Sequence, residues 1–298
     1  MTAPLDFLSN PPAIVTDAAC DLPPAWFEQY DIHVAPLKIL FGEESFRSGV
    51  DITHAEFYER LARKDVHPTT TQPTVNDFVE IYTPLLERRV PVLSIHISEG
   101  LSGTVNVARL AAQQMPPGAV TVWDSGTLSS ALGLHVMMAA RAARAGQSVE
   151  AILPLLKLTH EQVDLLFTVG DLSYLHRGGR IGSVRYQIGQ VLHIKPIITV
   201  SKEGDTAGTY VSKGRARSMS KAIDQFVEIV AGVVGEGNKL RAISLYGDDD
   251  TLATQLNAAL AQRFDCVTLD KLPTAPVLGV HVGPEALGLG FAGGDWPF

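Results

Sequence analysis

Two cysteines, Cys20 and Cys266, in 298 residues are too few and too far apart for a disulfide framework or a cysteine-rich metal site. Long apolar runs are missing as well. No stretch approaches the ~20 uninterrupted apolar residues of a membrane span, and Met1 to Asn10 has neither the basic nor the apolar region of a secretion signal. A basic excess is also absent: Lys and Arg number 24 against 32 Asp and Glu, for a net charge of −8 and a pI near 5.6. The counterion-release drive toward nucleic acid is therefore missing. The nine histidines include no H-E-x-x-H or other ligand spacing, and G-x-x-x-x-G-K-[ST] does not occur, so no metal and no cofactor is expected. These absences describe a soluble, unexported protein of a reducing cytoplasm with no nucleic-acid partner.

What is present is core-forming material. With 46% apolar and 19% charged residues and a mean hydropathy of +0.13, the chain can bury a sizeable interior, and 298 residues exceed one comfortable core. Two domains are expected, divided near residue 160 into 1–160 and 161–298. The first half alternates short β-rich runs with helical patterns. Ala13 to Thr16 is read as a strand ending at Asp17, Asp21 as the N-cap of a short helix entered through Pro23 and Pro24, and Ile32 to Phe41 as a strand. Helices are expected from Thr53 to Lys64 and after Thr74, whose Asp77 suits the positive helix end. Strand, helix, strand, helix then follow at Val92–Ile97, Ser102–Met115, Val120–Trp123 and Leu128–Ala145, with a bridging helix from Ser148 to His160.

Such units predict a parallel sheet with ligands beyond the strand C-termini, where Asp17, Ser98 to Thr104 and Asp124 fall. The second half reads differently. Ile194–Val200, the turn Glu203-Gly204-Asp205 and Thr209–Val211 suggest a hairpin and hence a mixed sheet. A helix near Ala216, a strand at Arg241–Tyr246, a helix at Thr251–Arg263 and final strands before His281 complete it. The fold class is α/β throughout.

Several motifs carry chemistry and a plainer alternative. Gly288-Leu289-Gly290-Phe291-Ala292-Gly293 matches G-x-G-x-x-G, but only five residues follow, so no helix can stand behind a pyrophosphate and a dinucleotide site is rejected. His135 lies in an apolar helix and reads as a core histidine. Ser98 to Thr104 joins a strand to a helix, where free backbone N–H groups attract an anion; Ser102 could add a hydroxyl or simply cap the helix. Thr69-Thr70-Thr71-Gln72-Pro73-Thr74 places hydroxyls on backbone that Pro73 keeps extended, so one of them can face the same anion.

An ordered set of motifs resembles the DegV family over nearly the whole chain. It comprises Thr16-Asp17 with Asp21-Leu22-Pro23, Thr70-Thr71-Gln72-Pro73-Thr74, Leu101-Ser102-Gly103-Thr104, Asp124-Ser125, Leu172-Ser173-Tyr174-Leu175 with Arg177-Gly178-Gly179-Arg180-Ile181, Ile194-Lys195-Pro196 and His281-Val282-Gly283-Pro284. The resemblance implies a bacterial two-domain DegV-like fold, with an N-terminal parallel β/α domain and a C-terminal α/β domain carrying a mixed sheet. It implies a lipid-binding protein, not an enzyme, that buries the acyl chain of a long-chain fatty acid and holds its carboxylate in the cleft.

Some family members present that carboxylate to a separate fatty acid kinase for phospholipid synthesis. By the same resemblance Thr70, Ser102, Gly103 and His281 bind the carboxylate, and Asp17, Ser98, Thr104, Asp124 and Arg180 stand nearby. This chain departs from the pattern at Ala18, where a serine is usual, at Glu99, beside Ser98, and at Val105, where an aromatic often follows L-S-G-T.

Charge adds an independent clue. Residues 176–217 hold eight basic side chains against Glu203 and Asp205, a local +6 that leaves −14 for the rest. A docking kinase or a transient membrane-surface contact would meet that segment, although a solvated face is the commoner explanation of such a run. A competing reading is a serine hydrolase acting on an acyl ester, because Ser102, Asp124 and His281 follow the Ser, Asp, His order of α/β-hydrolases. Gly100-Leu101-Ser102-Gly103-Thr104, however, lacks the final glycine of the G-x-S-x-G elbow.

Overall fold

A computed structural model describes residues 7–182, 184 and 194–297. The first part of the chain runs β1 (Ala13–Asp17), α1 (Pro24–Gln29), β2 (His33–Ala35), β3 (Lys38–Phe41), β4 (Glu44–Arg47), α2 (His54–Arg63), β5 (Thr69–Thr71) and α3 (Val75–Glu87). It continues through β6 (Val92–His96), α4 (Thr104–Ala112), β7 (Val120–Asp124), α5 (Ser129–Arg144) and α6 (Val149–Gln162). The second part contains β8 (Val163–Val169), α7 (Ser173–Arg177), β9 (Lys195–Val200), β10 (Tyr210–Ala216) and α8 (Met219–Val234). Then come β11 (Lys239–Tyr246), α9 (Thr251–Arg263), β12 (Asp265–Pro273), α10 (Pro276–Val282) and β13 (Ala286–Gly293).

The predicted parallel sheet is there, in the order β2-β1-β6-β7. The hairpin is there too: β9 and β10 pair antiparallel at one edge of a mixed sheet ordered β10-β9-β8-β13-β11-β12. Both helices expected to start at Thr53 and Thr74 do so through capping boxes, in which each threonine hydroxyl accepts from the N3 amide and the N3 acid accepts from the threonine amide. Their orphan N–H groups are thereby satisfied.

Four expectations need correction. Ile32 to Phe41 is not one strand: Pro36 interrupts it, sending β2 to the parallel sheet and β3 to a separate antiparallel sheet ordered β4-β3-β5. Asp21 does not cap α1, whose N-cap is Pro23. The helix after L-S-G starts at Thr104 with Gly103 as N-cap, so Ser102 stands outside it. His281 lies in the last turn of α10, not at a strand end, and the Gly288–Gly293 run behind it is β13.

β13 is central, pairing antiparallel with β8 on one side and β11 on the other. Its glycines admit close packing instead of phosphate. A Cβ at Gly290 would come within 2.5 Å of Ser130 Oγ and 2.6 Å of the Ala131 amide nitrogen, so the small residue lets α5 lie directly on the strand. The mixed sheet buries both faces. Leu166, Ile197 and Leu289 pack with Phe226 of α8 and Leu256 of α9, while Leu165, Phe167 and Leu245 turn toward the parallel sheet and the core shared with α5.

Candidate functional site

Between the C-terminal edge of the parallel sheet and that second face of the mixed sheet lies a cavity of about 770 Å³, part of it opening to solvent. Its walls are mostly apolar. Ile97 and Leu101 follow β6, Leu128 precedes α5, Leu165 and Phe167 come from β8, and Leu245 from β11. One face of α10 closes it: Val277, Leu278, His281 and Val282 recur at helical spacing.

Four sequence-predicted residues meet at this cavity although they are far apart in the chain: Thr70, Ser102, Arg180 and His281 all line it. Thr70, in the middle of β5, pairs with Ile39 of β3, and its Oγ1 is 3.0 Å from His281 Nε2. Ser102 Oγ bonds Thr104 Oγ1 at 2.8 Å and accepts from the Thr104 amide at 3.3 Å, so Thr104 orients Ser102 while being buried itself. The Arg180 guanidinium donates to the Gly178 carbonyl at 2.7 Å and stays exposed. Gly103 does not line the cavity; a Cβ there would strike the Gln72 side chain, so it locks two motifs together.

His281 is the best-defined group. Burial, then the Arg180 charge, then His67 lower its pKa to about 4, so the ring is neutral near pH 7. Its Nδ1 is buried and has no partner among the described residues, pressed onto Gly178, where any Cβ would collide with it. An orphaned lone pair is tolerated better than an orphaned N–H, which assigns the proton to Nε2. His281 then donates to Thr70 Oγ1, and the threonine keeps its own proton for a ligand. A hydroxyl held in this way suits an acceptor such as a carboxylate.

The remaining predicted residues stand elsewhere. Asp17 is fully buried, accepting from the Ala19 and Ile97 amides at 2.9 and 3.0 Å and contacting His96 Nδ1 at 3.0 Å. His96 Nε2 is 2.6 Å from Ser94 Oγ, which is 2.8 Å from Tyr82 Oη. This Asp-His-Ser chain has the connectivity of a hydrolytic triad but is sealed inside the parallel sheet, and no motif pointed to it. Ser98 donates to the Gly208 carbonyl at 2.7 Å, joining the β6 loop to the β9–β10 hairpin.

Asp124 takes the Gly126 amide at 2.9 Å and faces a separate surface groove with Ser98 and His160. It does not touch His281, whose Nδ1 has no partner among the described residues, so the Ser102/Asp124/His281 hydrolase reading fails on geometry. His135 is a core residue, as expected, though only half satisfied: its Nδ1 bonds the Ala131 carbonyl and Nε2 has no partner among the described residues.

Sequence reasoning also missed a polar cluster behind the cavity wall, which it reaches through Ser129. Asp21 accepts from Ser129 Oγ at 2.6 Å and from the Ala275 amide at 2.9 Å, tying the start of α5 to the start of α10. Burial, opposed by these two bonds, pushes its carboxyl up to about 6. Both partners are over a hundred residues away, which leaves no local signal.

Among the described residues no group of His, Cys, Asp and Glu could hold a metal ion, and no helix is long and apolar enough to cross a membrane. Of the basic segment 176–217, Arg185 and its neighbours 183 and 186–193 lie outside the described residues. Lys202 pairs with Asp164 at 2.9 Å, Lys195 bonds the Gly170 carbonyl, and Arg177 bonds Ser173. Arg180, Lys213, Arg215 and Arg217 are exposed, the middle two on edge strand β10.

Residues 12–293 match a family profile described as "Uncharacterised protein, DegV family". A DegV domain-containing protein of Deinococcus radiodurans is 38% identical over 286 residues, covering 96% of this chain and 97% of its own. Among solved structures, a DegV family protein of Thermus thermophilus, described by its fatty acid binding, superposes with a TM-score of 0.87 at 32% identity, over 94% of this chain and 99% of its own. A stearic acid-binding protein from Eubacterium ventriosum superposes with a TM-score of 0.83 at 28% identity, over 95% and 98%.

Proposed function

The chain belongs to the DegV family, and from that premise we propose that it binds a long-chain fatty acid, with the acyl chain in the apolar cavity and the carboxylate at Thr70 and Ser102. The observation that carries this reading is the polar end where Thr70, Ser102, Arg180 and His281 meet a mostly apolar enclosure. Some 14 buried methylenes would gain roughly 11 kcal/mol at ~0.8 kcal/mol each, before association costs of several kcal/mol. Charge-assisted bonds at the head add ~1.5–3 kcal/mol each and chiefly fix its orientation. The tail supplies affinity and the head supplies register.

The finer reading is a carrier role: the bound carboxylate is presented to a fatty acid kinase for acyl-phosphate formation, in the cytoplasm and without catalysis by this chain. Support comes from exposed Arg180 at the cavity and from Lys213, Arg215 and Arg217 as a basic surface for an acidic partner or an anionic membrane. Mass spectrometry of lipid extracted from the purified protein tests the core reading, with co-purified long-chain fatty acid expected and its absence under gentle purification counting against it. Ser102→Ala and Thr70→Ala should lower phosphorylation of bound lipid by a kinase more than they lower lipid retention. Folded but lipid-free variants would contradict that division.

A further inference from the structure

The cavity wall holds a second polar position apart from the carboxylate end. Thr274 is 6% exposed, lines the cavity, and its hydroxyl has no hydrogen-bond partner among the described residues. Ser129, also 6% exposed, lines the same wall; its proton is given to Asp21, so its oxygen faces a ligand only as an acceptor. The Asp21 carboxylate holds both in place, taking Ser129 Oγ–H on one oxygen and the amide of Ala275, next to Thr274, on the other. Donor and acceptor therefore line one cavity from segments tied to the same carboxylate.

Their depth is set by α10. At ~1.5 Å rise per residue, Ala275 at its start and His281 near its end are roughly 9 Å apart along the axis. A long acyl chain anchored at Thr70 and His281 would pass this position near its middle. A plain methylene chain there would cover the Thr274 hydroxyl and leave it unsatisfied, a penalty that a valine of the same shape would avoid. A chain carrying a hydroxyl at that depth would accept from Thr274 and donate to Ser129, satisfying all three groups.

We propose that the cavity selects long-chain fatty acids oxygenated near mid-chain, with Thr274 and Ser129 as the specificity-determining pair. The proposal rests on fatty acid binding at this cavity. It is tested by measuring, on the full chain, the affinity of palmitic acid and of palmitic acids hydroxylated at successive mid-chain positions, for wild type, Thr274→Val and Thr274→Ser.

At one position the hydroxy acid should bind wild type at least as tightly as palmitic acid. Thr274→Val should weaken that acid about tenfold or more while palmitic acid holds or tightens, and Thr274→Ser should keep the preference. If palmitic acid binds but every hydroxylated isomer is about tenfold weaker, or if Thr274→Val weakens both acids equally, the proposal is overturned with the parent reading intact. If neither acid binds, both are overturned.

Discussion

His281 Nε2 and Thr70 Oγ1 lie 3.0 Å apart across 211 residues of chain, joining α10 to β5 at the polar end of the cavity. The neutral Nε2–H ring implied by this bond, and by an Nδ1 with no partner among the described residues, is directly observable. Nitrogen NMR of the imidazole should show the Nε2–H tautomer at pH 6 and a titration midpoint at about 4. Its folded pKa lies below the unfolded value, so this group's contribution to stability falls as pH drops from about 6.5 to about 4. Added fatty acid should raise the midpoint, because a carboxylate favours the charged ring. An Nδ1–H tautomer would refute the assignment.

Gly178 supports the other side of that ring. In Gly178→Ala the new methyl would collide with His281 Nδ1, tilting the imidazole away from Thr70. The His281 midpoint should then move up toward the ordinary histidine value while acyl retention changes little, since the tail dominates affinity. An unchanged midpoint would show that the loop yields instead of the ring.

Asp21 makes stability depend on pH in the opposite direction from an acid whose pKa is lowered by an ion pair. Its folded pKa is about 6 against 3.8 for the free group, so the folded state holds the proton more tightly. Its stabilising contribution is complete below about 3.8 and is lost as pH rises through about 6, for a total on the order of 3 kcal/mol. Denaturant unfolding of wild type and Asp21→Asn at pH 4 and pH 7 should show that difference only in wild type. Parallel pH profiles would contradict the burial cause.

Gly290→Ala should destabilise by about 1–3 kcal/mol, because its methyl meets the α5 backbone, which cannot swing aside as a side chain can. The loss should appear as a lower urea midpoint with little change in slope. Gly294, at φ +82 and with open space where a side chain would point, tests the other glycine cost: alanine there strains the backbone without a collision.

Much of this architecture is visible from local pattern. Periodicity and capping residues mark α2, α3 and α9, the last to its terminal residues Thr251 and Arg263, and the turn at Gly204 marks the β9–β10 hairpin. Thr70, Ser102, Arg180 and His281 do share one cavity, although only their motifs, not their spacing, joined them. What escaped has long-range causes. Asp21 looks like a helix cap because its true partners, Ser129 and Ala275, are remote in sequence. Ile32 to Phe41 has strand composition throughout, yet only tertiary pairing reveals that its two ends enter different sheets. The buried Asp17, His96 and Ser94 chain has no spacing of its own to announce it.

The position of β13 also bears on synthesis. The strand lies between β8 and β11, yet it follows every other strand of that sheet in the chain. As the polypeptide leaves the ribosome, β8 and the β9–β10 hairpin emerge on one side and β11 and β12 on the other, with no partner between them. Two open strand edges must wait until residues 286–293 are translated, and during that interval the backbone N–H and C=O groups of β8 and β11 that β13 will pair stand open to wrong strand partners.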